Sequence, residues 1–256
     1  KDFRPRFAWR LVLLFFIACI NSSLFPGEIL MLYALLGYVM IAVCRLSSRS
    51  IAIIAGILLL QPLEWGQIII ALLDPAFVIN AQLDAPYWEI VNTVQKEGSF
   101  IDLCKTALWT GNIANMGWML LHGRVTQTAG LFMVGILIGR SNLFHYTEHN
   151  IRFWTKVFIA VTIAFFPIYG LTAILPDFIT REALLVPSTL LLKSLSNIAF
   201  TGILFAGVIL VYYLTKLKGV LHQLAPYGRM RLTNYLSQSL LGGFLFSNWG
   251  LGLFRY

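Results

Sequence analysis

Charge is scarce in this 256-residue sequence: Asp, Glu, Lys and Arg together make up 12%, against roughly 25% in an average soluble domain. No Walker-type phosphate loop, nucleophile elbow, Rossmann fingerprint or paired-cysteine zinc pattern is present, which sets aside the soluble enzyme classes built on those motifs. The three cysteines are an odd number without metal-ligand spacing. Cys19 and Cys44 lie inside apolar runs and Cys104 in a polar stretch, so no disulfide framework is implied and they read as packing residues. No repeat of fixed period and no low-complexity segment appears, and nothing before the first apolar run has the tripartite pattern of a signal peptide.

What replaces charge is apolar length. Hydrophobic residues reach 58% and mean hydropathy is +0.77. Lipid is therefore the solvent to assume, and membrane lipid the first partner. The net charge of +8 does not point to nucleic acid, because the basic residues gather at the ends of apolar runs and form no basic–aromatic surface. Runs near the roughly 20 residues needed to cross a bilayer are Trp9–Phe25, Ile29–Cys44, Ile51–Leu73, Val125–Gly139, Phe153–Leu175, Leu184–Leu214 and Leu232–Phe254. The expected fold is all-α, a polytopic transmembrane helical bundle of about seven or eight spans with one extramembrane segment.

A single integral domain over residues 1–256 is expected: three spans within 1–73, an outer loop and interfacial or re-entrant piece over 74–124, and the last spans within 125–256. The third run is interrupted at QPLEWG, where Pro62 removes a backbone donor and Glu64 adds a charge, so a kink or break is expected there. That break either lines a cavity or is a simple proline kink. Asp74–Thr106 is acidic and reads as extramembrane; Leu108–Arg124 is short and rich in Gly and Asn, and the interfacial reading is preferred to a span. Arg4, Arg6 and Arg10, then Arg45 and Arg49, then Arg140, Arg152 and Lys156, then Lys216, Lys218, Arg229 and Arg231 all fall on one side if Leu108–Arg124 does not cross. By the positive-inside rule that side is cytoplasmic. The expected location is a bacterial inner membrane, with a multi-pass topology.

The richest stretch is APYGRMRLTNYLSQSLLG, Ala225 to Gly242. On a helix beginning near Arg229, Arg231, Asn234 and Gln238 share one face, and Tyr235 and Ser239 sit beside them. Buried amides need partners in lipid. Asn234, Tyr235 and Gln238 therefore either hold neighbouring helices together or bind substrate. Of the four histidines, His122 in the HGR motif is the best candidate for a general base; the alternative is a histidine at an interfacial helix end. His145 and His149 lack a third ligand, so no metal site is expected. Glu28 either caps the next helix or pairs with an arginine such as Arg124. Arg124, Arg140 and Arg229 either bind anionic substrate groups or set topology at helix ends.

Three ordered motifs, FPGEILMLYALLGY, WTGNIANMGWMLLHGRVTQTAGLFMVGILIGR and APYGRMRLTNYLSQSLLG, together resemble the YeiB family of bacterial membrane proteins along nearly the whole chain. YeiB-type proteins end in a domain of unknown function, and this chain is similar to that domain plus the spans before it. The family's Leu-Asp-x-Leu-Arg-Gly-like opening is absent and the chain starts at Lys1, so an upstream segment is expected to be missing. The resemblance also implies a distant superfamily of transmembrane acyltransferases, which includes the lysosomal enzyme that acetylates heparan glucosamine. It implies an acyl donor such as acyl-CoA on the cytosolic side and a carbohydrate or lipid acceptor on the other, with His122 and Glu28 as catalytic candidates. Many relatives place a histidine in the turn before the Gly-Asp/Glu pair, where this sequence has Asn21 in CINSSLFPGE.

Three functions compete: a membrane acyltransferase, a transporter of a small metabolite, and a non-catalytic membrane scaffold. Substrate and oligomeric state are not legible in the residues.

Overall fold

The computed structural model describes residues 3–79 and 82–253, and among these every regular element is helical. In chain order the helices are α1 (Arg4–Ser22), α2 (Leu30–Val43), α3 (Ser48–Leu59), α4 (Pro62–Leu73), α5 (Ala85–Glu97), α6 (Phe100–Thr106), a π-helical segment (Ala107–Gly111), α7 (Asn112–Leu121), α8 (Arg124–Arg140), α9 (Glu148–Phe178), α10 (Glu182–Leu214), α11 (Lys218–Gln223), α12 (Ala225–Arg229) and α13 (Arg231–Phe246). They divide into two compact units, one of residues 1–45, 82–121 and 226–256, the other of residues 46–81 and 122–225.

In the first unit, Pro5 in the first turn of α1 presets a helical φ where no donor is needed. The 19 residues of α1 span about 28 Å, close to the hydrocarbon thickness of about 30 Å. α2 folds back along α1, and the approach is close because Gly37 has no side chain: a Cβ there would lie 2.5 Å from Leu11 Cδ2. The Tyr38 hydroxyl donates to the Ala8 carbonyl at 3.0 Å. The expected extramembrane stretch is not an open loop, since it carries α5 and α6. Ser99 and Asp102 form a reciprocal capping box at the start of α6, which satisfies donors that a helix start leaves open. Leu108–Arg124, read as an interfacial or re-entrant piece, is helical from the π segment through α7.

In the second unit, α9 and α10 run antiparallel along their length, with Gly202 against Val161 and Gly207 against Phe158. Small residues at such crossings let helices approach. Pro167 and Pro176 lie inside α9, as membrane helices tolerate when neighbouring groups satisfy the backbone carbonyls that proline leaves without a donor. Thr147 caps α9 by accepting from Asn150 N at 3.2 Å. α3 packs on α8 and α4 on α10. At QPLEWG the expected break is present: α3 and α4 meet at a bend of 49°.

The expected seven or eight spans are corrected by helix length. Among the described residues three helices are long and apolar enough to cross, α1, α9 and α10, or four if the bent α3–α4 pair is one span. The Ile29–Cys44 run yields only the 14 residues of α2, about 21 Å. Val125–Gly139 yields the 17 residues of α8, and Leu232–Phe254 the 16 residues of α13; Phe254 itself lies outside the described residues. Only past α13 does the apolar composition run well beyond the helix end; α2 and α8 all but fill their runs and are simply short. Long apolar helices remain, as a membrane protein requires.

Candidate functional site

The first unit places a carboxylate where none is usually left. Glu28, in the turn between α1 and α2, is 2% exposed. Its Oε1 accepts from Leu30 N at 2.5 Å, and its Oε2 accepts from Asn21 Nδ2. The Tyr235 hydroxyl, from α13, also hydrogen-bonds the carboxylate and takes the Ile29 N–H at 3.4 Å. Asn21 extends the cluster to Ser239 Oγ at 3.2 Å, and Ser239 in turn donates to the Tyr235 carbonyl at 3.2 Å. From α7, Asn115 Nδ2 donates to the Glu28 carbonyl.

Local sequence explains why the turn can be held so closely. Asn21 lies at the last turn of α1, and its carbonyl accepts from Leu24 N and Phe25 N, which ends the helix. Gly111 and Gly243 face the following turn: Cβ atoms there would come within 3.3 Å of Pro26 Cβ and 3.1 Å of the Leu24 carbonyl. The π segment that contains Gly111 is stitched to α1 by Asn112 Nδ2, which donates to Ser22 Oγ at 3.1 Å and to its own Leu108 carbonyl at 2.8 Å. Burial raises the Glu28 carboxyl above its ordinary value, against the opposing pull of the Asn21, Leu30, Ile29 and Tyr235 donors. A carboxylate so placed can cap α2, hold a polar ligand group, or exchange a proton with one.

The expected residues divide between the two units. Glu28 and Tyr235 meet in the first unit. On α13 the inward polar face is the one bearing Tyr235 and Ser239, while Asn234 is half-buried and Gln238 and Arg229 are exposed. In the second unit, His122 is half-buried and Arg124 Nη1 donates to Gln127 Oε1 at 3.0 Å. Gln127 passes the link to α10 by donating to the Ser194 carbonyl at 3.1 Å. Arg140, at the end of α8, donates to the Leu46 carbonyl and to Ser48 Oγ at 3.0 and 3.2 Å. His145 and His149 are exposed.

Three features were not singled out from sequence. Asn115 looked like one more residue of a Gly/Asn-rich stretch, and only its spacing from Asn112 on a helix hints at a shared face. Arg181 bridges from the α9–α10 turn to four carbonyls at the end of α4, those of Ala71 (2.5 Å), Asp74 (2.8 Å), Pro75 (3.0 Å) and Phe77 (3.4 Å); no local pattern marks it. An open cleft of about 670 Å³ runs along α5, lined by Gln82, Asp84, Trp88, Asn92 and Lys96 among others, and contains none of the expected residues.

The Bacillus subtilis protein described as uncharacterized protein YxaH is 22% identical over 276 aligned positions, covering 99% of this chain and 62% of that protein. The chain thus spans under two thirds of the relative it matches. No solved structure matches. Residues 138–256, from the end of α8 through α13, match the model of the family described as protein of unknown function (DUF418).

Proposed function

We propose that this chain belongs to an inner-membrane protein that passes acyl groups from a cytosolic thioester donor to an envelope carbohydrate or lipid. The observation that carries the reading is the Glu28 cluster: a buried carboxylate, raised above its ordinary value by its burial, held by Asn21 and the Leu30 amide with Tyr235 alongside. The YeiB-like motifs, and through them the likeness to transmembrane acyltransferases, supply the reaction class. In such a transfer the acceptor hydroxyl attacks the thioester carbonyl, the C–S bond breaks, and the hydroxyl proton passes to a base and then to the departing thiolate. Glu28 and His122 are the candidate bases. Arg124 is the candidate anion clamp, with Arg140 and Arg229 at other helix ends and Asn234 and Gln238 beside Tyr235 as further substrate contacts. Asn21, which cannot take a proton, serves to orient Glu28. The test is transfer of radiolabelled acyl groups to envelope material by the complete protein. Loss of transfer in Glu28→Gln supports the reading; full transfer in both Glu28→Gln and His122→Ala removes these residues from it.

A second reading, transport of a small metabolite, is favoured by the 49° break between α3 and α4, because broken helices form the central sites of many transporters. Native mass spectrometry of the purified protein separates the two: a bound nucleotide thioester favours transfer, and a bound small metabolite favours transport.

A further inference from the structure

The open cleft along α5 sets an aromatic ring among hydrogen-bonding side chains, on the face that this helix turns away from the core. Val91, 1% exposed, marks the inward side of α5. On the other side Trp88, Glu89, Asn92, Thr93 and Lys96 share one stripe of the helix and line the cleft. From Asp84 to Lys96 the stripe runs about 18 Å along the axis. The cleft volume of about 670 Å³ falls within the roughly 300–1,000 Å³ of ligand sites. Its length suits an extended ligand better than a single small ring.

Asp84 stands at the N-cap of α5 but makes no side-chain cap bond, although aspartate is among the residues best suited to cap a helix. Its Oδ2 accepts instead from Trp88 Nε1 at 3.0 Å, which fixes the half-buried ring beside the cleft. An indole that anchors a helix at the membrane surface turns its N–H to headgroups and water. This one turns it to a carboxylate that is 8% exposed. The second oxygen, Oδ1, takes no donor among the described residues, and Asp84 lines the cleft, so that oxygen is left for a donor from a ligand. Behind Asp84 lies Gly117 of α7, where a Cβ would sit 3.5 Å from Asp84 Cβ. Asn115, also on α7, donates to the Glu28 carbonyl. One helix therefore backs the cleft and grips the Glu28 turn.

The lining selects among ligand classes. Among its described residues Asp84 and Glu89 outnumber Lys96, so a phosphate or carboxylate meets net like charge, which argues against the nucleotide thioester donor. A quaternary ammonium is held by a cage of aromatic faces, whereas the described lining offers one indole and a lysine. A sugar ring presents an apolar C–H face that can stack and a rim of hydroxyls that donate and accept. An indole flanked by carboxylates and an amide is its complement. We propose that this cleft binds a neutral oligosaccharide, with one ring stacked on Trp88 and its hydroxyls bonded to Asp84 Oδ1, Glu89 and Asn92. α5 lies in the stretch that the basic-loop bias assigns to the outer face, the side of envelope sugars. That the saccharide serves as acyl acceptor rests on the acyl-transfer reading; its binding does not.

The test uses the complete protein purified in a detergent without a sugar headgroup. Binding of maltotetraose, cellotetraose and chitotetraose is measured by isothermal titration calorimetry, with choline chloride and inorganic phosphate as comparison ligands. Saturable binding of at least one saccharide is expected, and neither comparison ligand should compete with it. Trp88→Ala should weaken that binding about tenfold or more. Trp88→Phe, which keeps a ring but not the bond to Asp84, should fall between. Asn92→Ala changes an exposed side chain and should weaken binding without moving the unfolding temperature, so it and Trp88→Phe decide if Trp88→Ala does not fold. No binding of any of the three saccharides would overturn the proposal, as would binding unchanged in both Asn92→Ala and Trp88→Phe. Choline or phosphate bound in place of saccharide, and lost in Trp88→Ala, would overturn it too, since the occupant would then be an ion. Acyl transfer without saccharide binding leaves the earlier reading intact and removes the cleft from it; saccharide binding without acyl transfer removes that reading and keeps the cleft.

Discussion

Asn21 Nδ2 donates both to the Glu28 carboxylate and to Ser239 Oγ, the latter at 3.2 Å across 218 positions of sequence. One amide thus joins the end of α1, the following turn and α13. Truncating it to Ala leaves a buried carboxylate short of a donor, which costs about 1–3 kcal/mol. Asn21→Asp should cost more, because it sets a second carboxylate against the first unless one takes a proton. Thermal unfolding of the detergent-purified variants measures both; an Asn21→Ala protein as stable as the parent would show that Glu28 draws nothing from this contact.

The pH dependence of stability has a sign fixed by burial. The folded Glu28 carboxyl lies above its ordinary 4.5, so the folded state holds its proton more tightly than the unfolded chain does. Its contribution is fully present below 4.5 and is lost as pH rises through the folded value. Glu28→Gln keeps the shape, and Asn21 can turn its amide to accept from the new Nε2. The variant should therefore lose less stability than the parent as pH rises from 4.5 toward neutrality. Parallel unfolding curves for the two proteins across that range would contradict this.

Gly123→Ala should destabilise the second unit by about 1–2 kcal/mol from the left-handed backbone alone, and by more because the new methyl displaces Gln61 and Glu64. Gly135→Ala, on the same helix with open space around it, is the control and should be neutral or slightly stabilising. Equal unfolding temperatures for the two variants would refute the packing argument.

Arg181→Lys should lose stability although the charge is kept. A guanidinium reaches the Ala71, Asp74, Pro75 and Phe77 carbonyls from a planar fork, and an ammonium cannot span them. Two lost bonds correspond to about 1–3 kcal/mol. The local readout is faster amide exchange at the end of α4, with α9 unchanged.

Sidedness is testable by labelling. In a chain without Cys19, Cys44 and Cys104, a cysteine at Glu89 on α5 should react with an impermeant maleimide in spheroplasts. One at Arg49, beside the second basic cluster, should react only after the inner membrane is opened. The reverse pattern would invert the assigned orientation.

Much of this protein was written in local sequence. Apolar length marked α1, α9 and α10 because crossing helices must be long and bury their own backbone polar groups. Pro62 marked the α3–α4 break for an equally local reason, a missing donor. The excess of spans arose where composition alone was read: the runs at 29–44 and 125–139 are filled by helices of only 14 and 17 residues, and the run at 232–254 continues past a helix that ends at Phe246. Glu28 and Tyr235 stood out as polar residues in apolar surroundings. Their meeting did not, nor did the choice of Ser239 over Gln238 as the inward residue of α13, because that depends on how α13 is rotated against the α1–α2 turn. Gln61, Glu64, Gly123 and Thr126 are brought together only when α8 packs on α3. Residue chemistry and helix length are properties of short segments, so the sequence alone determined them; which polar groups satisfy one another was decided by long-range packing.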